Sequence, residues 1–198
     1  MPTSLPGSPT PKPRRRLSPE ARRAQLLDVS LATFAELGIE RANHADVARR
    51  ADVSTPTVFN YFASRPILVD VVLTEIERRL DRMLDTLTDL SDDPEKRILQ
   101  TAAAYQGLVE EEPDVVKAFL KWGVSFDPDI RPRYLAYQDT VVERLRQILP
   151  KGSATPQSAR LLYGYANMLA TMMFDGVPLD ELLGYAKRIA TLMANPDQ

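Results

Sequence analysis

Residues 44–62 read HADVARRADVSTPTVFNYF, and the spacing within this stretch decides how the flanking chain is read. Ala45, Val47, Ala48 and Ala51 recur at intervals that give a short helix one buried side. Asp52 and Val53 break that period. The Ser54 hydroxyl can then accept from the free N–H groups that open a new helix at Thr55. In this second helix Val58, Phe59 and Phe62 are expected to pack inward. Ser54, Thr55, Pro56, Thr57, Asn60 and Tyr61 are left as a face of small hydroxyls, one amide and one phenol, on a helix too short to serve as scaffold. Such a face is built to touch something.

Two short helices joined by a tight turn make a helix-turn-helix, whose second helix can lie in the major groove of DNA. An amide can pair bidentately with adenine and an apolar ring can meet a thymine methyl. Thr55, Pro56 and Asn60 are therefore the expected base-facing set, with Asn60 foremost. Thr57, Tyr61 and Arg65 are placed more like phosphate contacts. Upstream, Ser18 followed by Pro19 marks a helix start. Leu27, Leu31, Phe34 and Ala35 supply its buried stripe, and Gly38 stops it near Leu37. Downstream, Ser64 to Leu87 reads as a long amphipathic helix with Leu68, Val72, Ile76, Leu80, Met83, Leu84 and Leu87 on its apolar side. His44, the only histidine, lacks partner ligands for a metal and is read as structural.

The segment from Arg23 to Leu68 resembles the DNA-binding domain of TetR-family transcription regulators. The resemblance rests on Leu27, Phe34 with Gly38, Ala48 to Ser54, and Phe59 to Phe62. KPRRRLSPEARRAQL, HADVARRADVSTPTVFNYF and SRPILVDVVL are also similar to the narrower branch of Vibrio LuxR/HapR-type quorum-sensing master regulators. That likeness implies arm arginines at Arg14 and Arg16 that reach DNA, with Arg15 as an addition. It implies an effector pocket at Leu80, Met83, Phe119, Trp122 and Gln138, taking a small apolar molecule. Without the likeness, an aromatic and Met stripe at helical spacing reads more often as plain core than as a ligand pocket. It further implies that the last two helices pair with their symmetry mates in a homodimer, with Leu161, Tyr165, Met168, Leu169, Met172, Leu182, Ala186 and Ile189 at the interface. Two recognition helices held by a two-fold axis read a pseudo-palindromic operator.

Charge and composition agree with this division. Residues 1–68 carry a net +4 and residues 69–198 a net −6, a basic head on an acidic body, although unevenly scattered surface charges would give the same count. Five prolines between Pro2 and Pro13, followed by Arg14, Arg15 and Arg16, mark residues 1–17 as a disordered basic arm suited to a narrow minor groove. Residues 18–64 form the helix-turn-helix domain and residues 65–198 a helical effector-binding and dimerisation domain. Its further helices are expected at Glu95 to Glu111, Asp114 to Phe126, Ile130 to Leu149, from Thr155-Pro156 through Phe174, and after Pro178. The fold class is all-α, with about nine helices in all.

The absence of Cys excludes disulfides and thiolate chemistry. With one His and no Gly-rich phosphate loop, no catalysis, metal or cofactor is expected. Apolar runs fall short of the roughly 20 residues that span a bilayer, and the first residues lack a signal-peptide centre, so a cytoplasmic location away from membranes is expected. A local ligand-responsive repressor of a neighbouring catabolic or efflux operon shares every one of these features. A helical carrier of hydrophobic ligands would share the body but would not need the basic arm or Asn60.

Overall fold

The computed structural model describes residues 17–149 and 151–194, and among them the chain is all-helical. The first helix, α1 (Pro19–Leu37), starts where Ser18 accepts from the Ala21 N–H at 3.1 Å. It ends at Gly38, whose φ of 86° no β-carbon favours. The second, α2 (His44–Ala51), opens on a reciprocal capping box between Asn43 and Asp46. Asp52, left-handed at φ 53°, makes the turn. Ser54 then caps α3 (Thr55–Tyr61) by accepting from the Thr57 N–H. Leu26, Leu31, Phe34, Val47, Val58, Phe62 and Leu68 bury themselves between these helices and the start of α4 (Arg65–Asp85). At about 1.5 Å per residue α4 is roughly 30 Å long. The same helix that closes the head therefore runs through the body, where Val72, Ile76, Leu80 and Leu84 are buried.

The body adds α5 (Pro94–Glu111), α6 (Pro113–Gly123), α7 (Arg131–Ile148), α8 (Pro156–Phe174) and α9 (Leu179–Ala194), with a short 3-10 turn at Lys151–Ser153. Pro stands in the first turn of α4, α5, α6, α7 and α8. Its missing N–H costs nothing there, because the first turn's N–H groups have no partner in the helix. The third helix of the body is shorter than expected. It stops at Gly123 and leaves Val124 and Phe126 exposed. A β-carbon at Gly123 would lie 2.8 Å from the Tyr134 hydroxyl oxygen, so only glycine lets α7 approach this closely.

Head and body are joined by more than α4. Helix α6 packs along α1, with Lys121 Nζ donating to the Glu36 carbonyl and Ser125 Oγ to Glu40 Oε1. At the other end of this seam Arg79 of α4 forks three ways. Its Nε donates to Glu75 at 2.6 Å, Nη1 to Glu112 at 2.5 Å and Nη2 to Asp28 of α1 at 2.6 Å. Helix α7 grips the acidic flank of α4 through Arg133, which donates to Asp70, Thr74 and Glu77, and through Arg144 on Asp81 and Asp85.

Glu75 is buried in this network. The hydrogen bonds from Arg78, opposed by burial and joined by those from Arg79, pull its carboxyl from 4.5 to about 2. A group whose pKa is depressed on folding stabilises the fold above its unfolded pKa, and that contribution is lost as pH falls through the folded one. Stability should therefore fall between pH 4.5 and 2, and Glu75→Gln should flatten that part of the profile. Urea midpoints of the two proteins at steps across this window check it; parallel profiles would remove Glu75 from the acid response.

Candidate nucleic-acid interface and internal cavity

The outward face of α3 is held rigidly from behind. Val58 and Phe62, four residues apart, are fully buried, which turns Pro56 and Asn60 to the exposed side and leaves Thr55, Thr57 and Tyr61 half-buried. The hydroxyls of Ser54 and Thr57 lie 2.7 Å apart and share a hydrogen bond while Ser54 caps the helix. These two are occupied in starting the helix. Pro56 and Asn60 are the ones that reach outward. Nothing is described of Arg14 and Arg16, which lie outside the described residues.

One expectation about packing at this surface is corrected. Phe59 does not pack inward: it is 45% exposed and stacks on His44 with ring centroids 3.9 Å apart and planes 3° apart. One residue after Val58 on a 3.6-residue helix, it lies about 100° round from the buried stripe. The His44 ring supports it because Nε2 donates to the Phe62 carbonyl at 2.7 Å, which ties α2 to the end of α3. Arg65 is held from within the chain by one guanidinium nitrogen. Its Nη2 donates to the carbonyls of Ile39 at 2.7 Å and Glu40 at 2.6 Å, bracing the loop after α1. These carbonyls precede α4 by about 25 residues, and only the folded loop brings them to it.

Residues 26–71 match the family described as bacterial regulatory proteins, tetR family. The chain is 36% identical over 129 residues to the HTH-type transcriptional regulator LuxR of Vibrio harveyi, a match covering 65% of this chain and 63% of that protein. Residues 26–71 therefore form a tetR-family DNA-binding segment. A second relative, the HTH-type transcriptional regulator BetI of Escherichia coli O127:H6, is 27% identical over 176 residues, covering 83% of this chain and 89% of its own. The fold is shared with a TetR-like transcriptional regulator from Rhodococcus sp. RHA1 at a TM-score of 0.76 and 17% identity, over 91% of this chain and 98% of that one. The match to LuxR thus spans less than two thirds of that regulator.

Within the body, α4 to α9 enclose a cavity of about 320 Å3. Leu80, Met83 and Phe119 line it as expected of the pocket, but Trp122 and Gln138 do not. Trp122 is wholly buried among Phe119, Tyr134 and Tyr137. Its position three residues after Phe119 sends it past the cavity into the seam between α6 and α7. Gln138 sits on the outer side of α7, accepting from Arg160 of α8 at 3.3 Å.

The residues expected at a subunit interface divide in two. Leu182 and Ala186 are buried inside the chain, and with Tyr165, Leu169 and Ile189 they line the cavity. One face of each of the last two helices is therefore spent on the body itself. The other is open. Leu161 is 71% and Met168 45% exposed on α8, with Met172 half-buried beside them, and Leu192 is 59% exposed on α9 with Tyr185 one to two turns before it. The sequence expectation missed this distinction because α8 is apolar nearly all round, and an apolar circumference does not say which side the parent chain uses. Also missed were Tyr105 and Asn167, joined across the cavity from α5 and α8 by a 3.2 Å hydrogen bond.

Proposed function

We propose that this protein is a homodimeric regulator of transcription that reads a pseudo-palindromic DNA operator through Pro56, Asn60 and the half-buried Thr55, of the quorum-sensing master-regulator type its N-terminal segment resembles. The observation that carries the reading is the α3 face itself. An amide and a proline ring project from a helix whose rear is anchored by Val58, Phe62 and the His44 bond to the Phe62 carbonyl. A rigid element presenting one bidentate reader is what base discrimination needs. Phe59 joins this surface as an apolar contact suited to a thymine methyl. Ser54, Thr57 and Tyr61 hold or flank the reader, and Arg14 and Arg16 supply phosphate neutralisation. Work in the cytoplasm, where the DNA is, follows from this role.

The body supplies the second half of the reading. Its cavity is apolar, so a small apolar effector held there bears directly on α4, and α4 continues into the head. Among the described residues no helix is long and apolar enough to cross a membrane.

Recovering bound fragments from random duplex DNA with the purified protein, and footprinting them, tests the reading directly. Asn60→Ala should cost about 1–3 kcal/mol of operator affinity and relax base preference at one position in each half-site. An equal loss on operator and random duplex would assign Asn60 to backbone contact. The dimer is tested separately. Leu161→Asp should place two like charges against an apolar mate near the two-fold axis and leave the chain monomeric in sedimentation at micromolar concentration, at a cost of about 2 kcal/mol or more. An unchanged dimer would move the interface off the exposed face of α8.

A further inference from the structure

The cavity walls carry more chemical information than their greasiness. Among the residues that line the cavity there is no Asp, Glu or Arg, and the single amine, Lys187, lies on an exposed position of α9. A full charge taken inside would lose its hydration with nothing to replace it. Of its polar lining, Thr101 donates to the Arg97 carbonyl and Gln106 to Glu110, which leaves the phenols and Asn167 as the polar groups between α5 and α8. Tyr105 of α5 donates its hydroxyl proton to Asn167 Oδ1 at 3.2 Å, and one turn earlier on α8 the Tyr163 hydroxyl lies 2.7 Å from that of Tyr134. Burial raises the pKa of both Tyr105 and Tyr163, so each phenol stays neutral.

Having given its only proton to Asn167, the Tyr105 oxygen retains lone pairs that can accept; one N–H of the Asn167 amide is turned to the Tyr163 hydroxyl, and the second can donate. A group that both donates and accepts, a hydroxyl, satisfies the two together; a bare carbonyl does not. Size narrows the ligand further. An apolar cavity of about 150 Å3 holds one benzene, and this cavity of about 320 Å3 is about twice that. The rings of Phe119, Tyr105, Tyr163 and Tyr165 on its walls offer faces and edges for an aromatic guest.

We propose that the cavity takes a neutral molecule the size of two fused rings bearing one hydroxyl, whose hydroxyl is read by Tyr105 and Asn167. The proposal rests on the regulator reading only in making this ligand an effector; binding itself stands apart from it.

Calorimetry on the full chain with 2-naphthalenemethanol, naphthalene and 2-naphthoate tests it. The alcohol should bind several-fold more tightly than naphthalene, and the carboxylate more weakly than either. Tyr105→Phe keeps the ring and removes the oxygen. It should weaken the alcohol by about threefold to tenfold, the span of one neutral hydrogen bond, and leave naphthalene unchanged, which also shows that the variant is folded. Preference for the carboxylate, equal losses for alcohol and hydrocarbon in Tyr105→Phe, or no binding by any of the three would overturn the proposal. Binding of the ligand-free protein to its operator is measured in parallel. Loss of that activity would sink the regulator reading and leave the cavity result intact.

Discussion

Trp122→Ala should destabilise the protein by about 3–5 kcal/mol, the range for removing a fully buried indole. The side chain is wholly excluded from water. It stacks on Tyr137 with centroids 6.2 Å apart and meets Tyr134 edge-on at 5.5 Å. Little around it can collapse into the space, because Tyr134 is held by Tyr163 and by its close approach to Gly123, and Tyr137 by the Glu77 carbonyl and Asp81. Since domains are stable by only about 5–15 kcal/mol, this one change removes a large share of the total. Chemical unfolding with an unchanged m-value would report it. Trp122→Phe should cost far less than the alanine change. The indole Nε1 has no hydrogen-bond partner in its buried site, and deleting that orphaned donor returns part of what the lost volume takes away. Equal costs for the two variants would mean that the indole N–H is satisfied after all.

Arg79→Ala should cost about 2–3 kcal/mol and loosen the head from the body. The guanidinium touches α1, α4 and the start of α6 at once. Its removal leaves Glu112 and Asp28 without this partner, and Glu75 with Arg78 alone. The cost lies below the roughly 3–5 kcal/mol of a sealed ion pair because the Asp28 end is open to water. Arg79→Lys keeps the charge and loses the fork, so it should recover only a minor part. Thermal denaturation of the three proteins at one pH and salt concentration checks the order. A lysine variant as stable as the parent would show that charge alone holds the seam. Operator affinity should change more in Arg79→Ala than its stability loss explains, because the head is aimed through the seam.

Much of the fold was legible because helix ends are written locally. Ser18, Ser54 and Thr155 each sit one residue before a helix and each accepts from a backbone N–H three residues on, as their position before Pro or a helical period implies. Gly38 ends α1 where the chain needs a positive φ. The end of α6 was not legible. Phe126 continues the apolar spacing of Phe119 and Trp122, yet the helix stops at Gly123, whose carbonyl accepts from Arg131 of the next helix.

At the candidate site the same boundary divides success from failure. Asn60 and Pro56 project outward because Val58 and Phe62 face in, and that follows from helical spacing alone. Phe59 was misplaced because its support, the His44 ring, comes from another helix, and the bonds of Arg65 to the carbonyls of Ile39 and Glu40 span about 25 residues of chain. Trp122, Gln138, Leu182 and Ala186 were assigned to surfaces that neighbouring helices decide. The amino-acid sequence by itself determined the all-helical class, the helix starts, the turn before α3 and the outward set on it, since each depends on contacts within a few residues. Only the tertiary structure decided which side of α8 and α9 lines a cavity and which stays open, where the Arg79 fork lands, and that Tyr105 meets Asn167. Those outcomes depend on how helices far apart in the chain come to rest against one another, and no local period records that.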